Sequence, residues 1–565
     1  MNVAKGLDTP SLCKSAIEGI LCLWAGVDVG LKAKGSCLTN KMPQPRPPGT
    51  LKEQCVRNIT VNMDSFWCQD YIKNWLDQSK SLIFILGPFE DLPSTLIELI
   101  IEELNASGKL RKHHLHLLLL YHLERLKLSR ETSEFSYILS LLAQRCKKLR
   151  HLGLKSRNLP RKMVNEIFIN LELLQTVDLS QTNVADQTLS VMGAYAKHIR
   201  VLNLADTDVT DIGISSLCHD MRVSQKTHIS RSLLKMDLYG TVVTPKGIQC
   251  ALINMPNLKE IVHSTVLFSV SKLVESRRRM VEEASVLGGV IPELGPLQLR
   301  ALQSDEFGSG AYGVFADGEH IASALKVCPS VQYLYLRDIS NVNSNTFLPI
   351  LKLENVIDLV LTLTEEVHVD FYKEIMPLLQ HHGESLRRLH LHNVQNINVE
   401  LIGHLCPELH TLELDGNNTY CHSNFVSKEF KNKKIKPKFS HLKSVILSRV
   451  PNDIVESIEF QIPAESLRLT LGSPLLEKVS VMGQDLLTNE ILLDIMHTTK
   501  LPHLGFLSFT LCNNIDSAPI WTLLHLNNPL SELNLIDCHE ITFGDYNGFK
   551  KYVKKNKLTL KISWA

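Results

Sequence analysis

A chain of 565 residues, 44% of them apolar and 21% charged, has ordinary globular composition and length enough for several domains or one long repeat array. Its 60 Lys and Arg stand against 59 Asp and Glu, a net charge of +1, so no global field argues for nucleic acid or an acidic membrane surface. The 13 cysteines are scattered with no C-x-x-C spacing. That speaks against a disulfide framework or a zinc finger and for a reducing compartment, cytoplasmic or nuclear.

Residues 1–49 show no clear period. The apolar stretch from Ile17 to Gly30 is broken by Glu18 and Asp28 and is too short to span a bilayer. Neither a signal peptide nor a membrane helix is expected, and the sequons at Asn58 and Asn417 are chance. The region closes on Pro43, Pro45, Pro47, Pro48 and Gly49, the composition of an exposed, flexible linker.

At residue 50 the pattern changes to TLKEQCVRNI. Thr50 and Glu53 form a capping-box signature. Leu51, Cys55 and Ile59 recur every fourth residue and share one helix face. So short a helix needs a partner for that stripe. Asp64 and Ser65 offer a cap for a second helix, with Trp67, Tyr71 and Trp75 at helical spacing beside Cys68, Ile72 and Leu76, all expected in the core. A third helix opens in GPFEDLPSTLIELIIEEL, residues 87–104. Pro93 suits its first turn, and Leu92, Leu96, Leu99 and Ile100 form its apolar face.

The first of these segments resembles the BC box by which substrate receptors of cullin–RING ubiquitin ligases grip Elongin C. The resemblance implies that Leu51 enters a pocket on Elongin C and that Cys55 and Ile59 pack beside it. Leu92-Pro93-x-x-Leu96-x-x-x-Ile100 is similar to the cullin-2 box that follows in von Hippel–Lindau-type receptors, which implies cullin-2 contact through Leu92, Pro93, Leu96 and Ile100. The second Pro of the cullin-5 version is missing. The same stretch also resembles the first helix of an F-box, a Skp-binding element. NASGKLRKHHLHLLLL follows, however, without the Val-Cys-x-x-Trp-like ending, and the F-box account leaves TLKEQCVRNI unused.

From Leu123 a unit L-x-x-L-x-L keeps returning. Clear copies start at 123, 149, 174, 199, 233, 331, 356, 386, 409, 442, 476, 504 and 530; weaker ones are LKEIVH at 258 and LGPLQL at 294. The first spacings are 26, 25 and 25 residues, a leucine-rich-repeat period. Cys146, Cys328 and Cys406 resemble the cysteine-containing repeat subtype of ligase receptors. Such repeats bury their Leu positions only by stacking, one strand and one helix per turn, into a horseshoe. The expected fold class is therefore α/β: a leucine-rich-repeat solenoid over 105–565, with an irregular insertion at 263–325, behind a small all-α adaptor-binding segment at 50–104. FGSGAYGVF at 307–315 imitates a kinase phosphate loop with Lys326 after it. No His-Arg-Asp or Asp-Phe-Gly follows, and CPSVQYLYL resumes the repeat.

No nucleophile elbow, HExxH or P-loop occurs, so no catalytic residue and no cofactor is expected. His113, His114 and His116 are expected to be solvated on a basic loop. His390 and His392 share one strand face, and no metal site is expected there. On the repeat strands the residues between the Leu positions point outward. Those from Tyr333, Tyr335 and Arg337 to Arg388, His390 and His392 form the expected substrate face, with Glu413 and Asp415 on the next strand. Tyr and Arg are the types that anchor interfaces, and the acidic neighbours argue against nucleic acid. The chain as a whole resembles the Zyg-eleven/Zer-one group of receptors. That implies a non-catalytic substrate-recognition subunit with Elongin B, Elongin C, cullin-2 and a protein substrate as partners. The group's armadillo repeats have no counterpart, since the leucine repeats run on to LTLKI. A pure repeat scaffold is the alternative outside ligases.

Overall fold

The computed structural model describes residues 50–74, 87–128, 135–154, 159–220, 225–286, 294–304, 317–339, 342, 345–421, 439–449, 458–526 and 528–565. The N-terminal region 1–49, Trp75, Leu76 and the glycine-rich stretch 307–315 lie outside the described residues. The rest falls into two compact units, divided between His263 and Ser264.

The first unit opens with α1 (Leu51–Val61), α2 (Gln69–Asn74), α3 (Ser94–Ala106) and α4 (Lys112–Leu118). The Glu53 amide donates to the Thr50 hydroxyl at 3.3 Å, and the Thr50 amide donates to the Glu53 carboxylate at 3.0 Å. This is the expected capping box, and it starts α1 where the proline run stops. Val56, Ile59 and Thr60 form the buried stripe of α1, which packs on α3. Asp64 does not cap a helix. It lies in a π turn, Met63–Trp67, and its carboxylate is engaged by His113 and His114, each at 2.6 Å.

The histidines differ from the solvated loop expected of them. α4 buries His114 and His116 completely. Burial is tolerated because each ring nitrogen of His116 finds a partner. Tyr71 Oη lies 2.7 Å from Nδ1 and Tyr137 Oη 3.0 Å from Nε2. Arg145 donates to the His116 carbonyl at 2.7 Å.

Six parallel strands follow in sequence order: β1 (Arg125–Leu128), β2 (His151–Leu154), β3 (Thr176–Asp178), β4 (Val201–Asn203), β5 (Lys235–Asp237) and β6 (Glu260–Val262). Leu152, Val177, Leu202, Met236 and Ile261 stand in one register row and are all buried. Helices cross between the strands: α5 (Phe135–Arg145), α6 (Arg161–Asn170), α7 (Asp186–Tyr195), α8 (Asp211–Cys218) and α9 (Pro245–Asn254). Asp186 of α7 accepts from the amide and hydroxyl of Thr210, the cap of α8; Asp211 of α8 does the same for Thr244, the cap of α9. One carboxylate per repeat thus ties successive helices together.

The exposed edge of β1 is managed by α3. The Glu124 amide donates to Ser94 Oγ at 2.9 Å, and the Arg125 amide donates to Glu98 at 3.1 Å. Unpaired strand amides invite edge-to-edge association, and here a helix covers them.

In the second unit α10 (Val266–Val286) and α11 (Gly318–Val327) flank the first strand. The first half of α10 is buried through Val266, Leu267, Val270 and Leu273. Its charged second half is exposed and laced by Arg278–Glu282 and Arg279–Glu275 pairs, the surface pattern of i,i+4 partners. The sheet has ten parallel strands in sequence order: β7 (Ala301–Gln303), β8 (Tyr333–Ile339), β9 (Asp358–Leu363), β10 (Arg388–His392), β11 (Thr411–Asp415), β12 (Ser444–Ser448), β13 (Lys478–Met482), β14 (Phe506–Thr510), β15 (Glu532–Ile536) and β16 (Lys561–Trp564). Leu334, Leu359, Leu389, Leu412, Val445, Val479, Leu507 and Leu533 form its buried row.

LGPLQL at 294 is out of frame. Tyr333 pairs with Ala301, which puts the repeat at Leu299 and Leu302, both buried, while Leu297 precedes the strand. Gly295 and Pro296 mimic the spacing inside what is a connecting segment. Cys328 and Cys406 close repeat helices and are fully buried. Burial pushes both thiols up to about 12, so they are inert packing groups. Strand after strand with a buried inward row, backed by a helix or a 3-10 turn between most of the described strands, makes each unit a stretch of leucine-rich-repeat solenoid. Among the described residues no helix is long and apolar enough to cross a membrane.

Candidate adaptor helix and recognition face

Leu51 begins α1 with 55% of its surface exposed. Cys55, one turn on, is half-buried, and Ile59 is buried within the chain. The stripe read from the sequence therefore splits along the helix. Its first residue is presented to solvent, its second lies at the margin, and its third belongs to the chain's own core. Val61 and Phe66 are exposed in the same segment. A capped helix anchored at one end and apolar at its free end is a ready ligand for a hydrophobic groove.

The second set of residues is placed differently. Leu92, Leu96 and Ile100 are all buried, with only Pro93 partly accessible. The Leu92 carbonyl accepts from His122 Nε2 at 2.9 Å, and α3 supplies Ser94 and Glu98 to β1. These side chains hold the cap of the first sheet. The outer edge of α3 carries Thr95, Leu99, Glu102 and Ala106.

On the second sheet the alternation falls as the repeat frame requires. Tyr333, Tyr335, Arg337, Arg388 and His392 are half-buried on the open face, and His390 is nearly buried. Register aligns Tyr333 with Asp358 and Arg388, and Tyr335 with Val360, His390 and Glu413. The side chains meet in one network. Tyr335 Oη donates to Asp358 at 3.1 Å. One guanidinium nitrogen of Arg388 donates to both oxygens of Glu413, at 3.0 and 3.2 Å. His390 Nε2 and His392 Nδ1 each lie 2.8 Å from Asp415 Oδ1.

Partial burial governs the electrostatics. It pushes the Tyr335 hydroxyl up to about 12 and raises the Asp358 carboxyl, although the Tyr335 bond and Arg388 pull the latter down. Burial also pushes Asp415 up, but the bonds from His390 and His392 outweigh it and hold that carboxyl well below its ordinary value. A strip of fixed, half-desolvated charges of both signs favours a polar peptide over a polyanion.

Asp358 escaped the sequence reading, although VIDLVL in the repeat frame places it in line with Arg388. Gly416 also escaped it. Its φ of +74° and a would-be Cβ only 2.5 Å from His392 Cε1 leave room for the imidazole.

No family model and no curated protein matches the chain. Solved structures do. The Rad7 and Elc1 complex in yeast is 14% identical and covers 88% of this chain and 96% of that one, at a TM-score of 0.36. A leucine-rich-repeat protein of Leptospira interrogans is 16% identical, covering 80% and 92%, at 0.31. An internalin of Listeria monocytogenes is 12% identical, covering 77% and 93%, at 0.34. The fold stands on the strand register and burial described above.

Proposed function

We propose that the chain is a substrate-recognition subunit of an Elongin B/C–cullin-2 ubiquitin ligase, non-catalytic itself, which holds a protein substrate on the open face of its second sheet. The observation that carries the reading is the exposed Leu51 at the start of a capped, otherwise anchored helix. Val61 at the other end of α1 and Phe66 just after it are exposed as well, and Leu51 is the residue that the BC-box resemblance assigns to a pocket on Elongin C. Cys55 lies beside it, half-exposed. Ile59 contributes by fixing α1 to α3. Cullin-2 contact, in this reading, falls to Pro93 and the outer edge of α3, while Leu92, Leu96 and Ile100 hold that helix in place.

The test is co-purification of Elongin C with the full chain and with Leu51→Ala/Cys55→Phe. Loss of a Leu from a small interface costs a few kcal/mol, about a hundredfold or more in Kd. The double variant is expected to lose Elongin C while its circular dichroism and melting stay as they were. Undiminished co-purification, or capture of Skp by the native chain, overturns the reading. Pro93→Ala combined with Leu99→Ser is expected to release cullin-2 and keep Elongin C.

A further inference from the structure

Among the described residues, two places bring histidines and a carboxylate together: Asp64 with His113 and His114 in the first unit, and His390, His392 and Asp415 in the second. The other ring nitrogen of the buried histidine separates them. In the first cluster the Arg111 amide donates to His114 Nδ1 at 3.2 Å. Nδ1 is therefore an acceptor, and the proton of the neutral ring sits on Nε2, where it donates to Asp64. A neutral imidazole cannot also present Nε2 as a lone pair, so this cluster is a finished hydrogen-bond set.

In the second cluster Nδ1 meets an acceptor instead of a donor. His390 Nδ1 faces a carboxylate, Glu413 Oε2, at 3.5 Å, and Arg388 fixes that carboxylate from the other side. With no ion bound, the 2.8 Å contact keeps a proton between His390 Nε2 and Asp415; when an ion takes Nε2, the ring can stay neutral by carrying its proton on Nδ1, where Glu413 is placed to accept it. His392 Nδ1, in register with Asp415, converges on the same oxygen, and the three ligand atoms all lie within 4.8 Å of one another. A carboxylate placed behind a ligating imidazole is the usual second layer of a protein metal site. Gly416 keeps the His392 ring against the backbone, where any larger residue would displace it.

We propose that His390 Nε2, His392 Nδ1 and Asp415 Oδ1 form a divalent-metal site of the zinc class, with Glu413 and Arg388 orienting His390. Two imidazoles and one carboxylate suit zinc, and three protein ligands leave a coordination position open. Tetrahedral ligands about 2.0–2.1 Å from zinc stand about 3.3 Å apart. The present 2.8 Å separations widen by about half an ångström, within the reach of side-chain torsions. The His392 and Asp415 side chains are each one-third exposed, so an ion enters from the open face of the sheet, and the vacant position points where a bound partner could donate a ligand. The inference does not depend on the ligase reading; a scaffold with no Elongin partner would carry the same site.

The experiment titrates zinc chloride into the chelator-stripped full chain by calorimetry, then reads the bound metal by X-ray absorption at the zinc edge. The native chain is expected to bind one equivalent in a shell of nitrogen and oxygen without sulfur. His390→Ala/His392→Ala loses that equivalent, with at least a hundredfold fall in affinity. Glu413→Gln weakens it about 10- to 100-fold, the usual cost of losing an orienting carboxylate. His113→Ala/His114→Ala leaves it unchanged. Asp415→Asn, nearly isosteric, repeats the test should the histidine variant misfold, which its circular dichroism will show. Equal zinc binding by the native chain and by the His390/His392 and Asp415 variants overturns the site, as does no binding or a sulfur shell in the native chain.

Discussion

In the first unit the strands are three or four residues long. The open-face residues at three of their ends, Asp178, Asn203 and Asp237, are bound to amides two residues further on in the same chain. In the second unit the strands from Tyr333 to Ile536 run five to seven residues, and Tyr335, Asp358, Arg388, Glu413, His390, His392 and Asp415 bond across them. Both sheets follow one repeat rule on the buried side. Extra length on the open side adds a further row of outward side chains, and strands about 4.8 Å apart bring those rows within reach of one another. A three-residue strand has two outward positions, one often spent on its own turn and the other able to reach a single neighbour, as Lys235 reaches Glu260; a long one has further side chains left over for its neighbours and for a partner.

The rule on the buried side can be broken first. Leu202→Ala in β4 and Leu389→Ala in β10 each remove a fully buried side chain, at about 2–5 kcal/mol. Each repeat leans on its neighbours. Hydrogen exchange is therefore expected to rise in β3 and β5 for the first variant and in β9 and β11 for the second. If either variant deprotects both sheets equally, stability is not partitioned by repeat.

The contrast between inward and outward positions is sharpened by α1, where both occur on one stripe. Ile59→Ala empties a packed site and is expected to cost about 2–5 kcal/mol in a denaturant midpoint measurement. Leu51→Ala sits in solvent and should cost less than about 0.5 kcal/mol, yet raise the Kd for Elongin C about a hundredfold. Equal destabilisation by the two would mean that Leu51 serves the fold.

Most of the solenoid was legible because a Leu frame repeated thirteen times leaves little choice of register; it even placed Tyr335 and Arg388 two strands apart. What misled was local mimicry. Gly295 and Pro296 made a connecting segment look like a repeat, and the frame at Leu299 became visible only through pairing with Tyr333. The histidines of α4 looked solvated because their partners, Asp64 and Tyr71, lie some 50 residues earlier in sequence. For Leu92, Leu96 and Ile100 the apolar period was read correctly as a face. Periodicity says that a face is covered, not whether the chain or a partner covers it, and the amides of β1 decide that α3 belongs to the sheet.

A milder probe compares a buried histidine from each unit. Burial holds both His114 and His382 below the ordinary imidazole value, against the hydrogen bond that each donates, to Asp64 and to the Ile350 carbonyl. His382 Nε2 donates to the Ile350 carbonyl at 2.9 Å, so the neutral ring carries its proton there. With the folded value depressed, the unfolded chain binds more protons below about pH 6.5. Stability is therefore whole above that pH and falls as the pH drops through the folded values. Melting followed from pH 8 to pH 5 should show this decline, and His382→Gln should flatten it for the second unit. A stability that rises on acidification over that range would mean these rings are charged in the fold.

The smallest expected effect on folding falls on the network itself. Tyr335 and Arg388 stand on β8 and β10 with β9 between them, so an extended segment of a bound protein could touch both. Tyr supplies rigid apolar area and Arg a planar donor fork. The Arg388–Glu413 pair is about one-third exposed on the Arg side, and such pairs are worth about 0–1 kcal/mol. Arg388→Ala should accordingly shift Tm by no more than about 4 °C. Tyr335→Ala removes one hydrogen bond to Asp358, about 1 kcal/mol, together with some half-buried ring area. Neither variant touches α1, so Elongin C binding should be unchanged, while proteins captured by the native chain are lost and accumulate in cells. The readout that matters is the pair of measurements together. If the double variant melts like the native chain, keeps Elongin C and still clears the same proteins, the long strands are not the recognition face, and the exposed half of α10 becomes the next surface to alter.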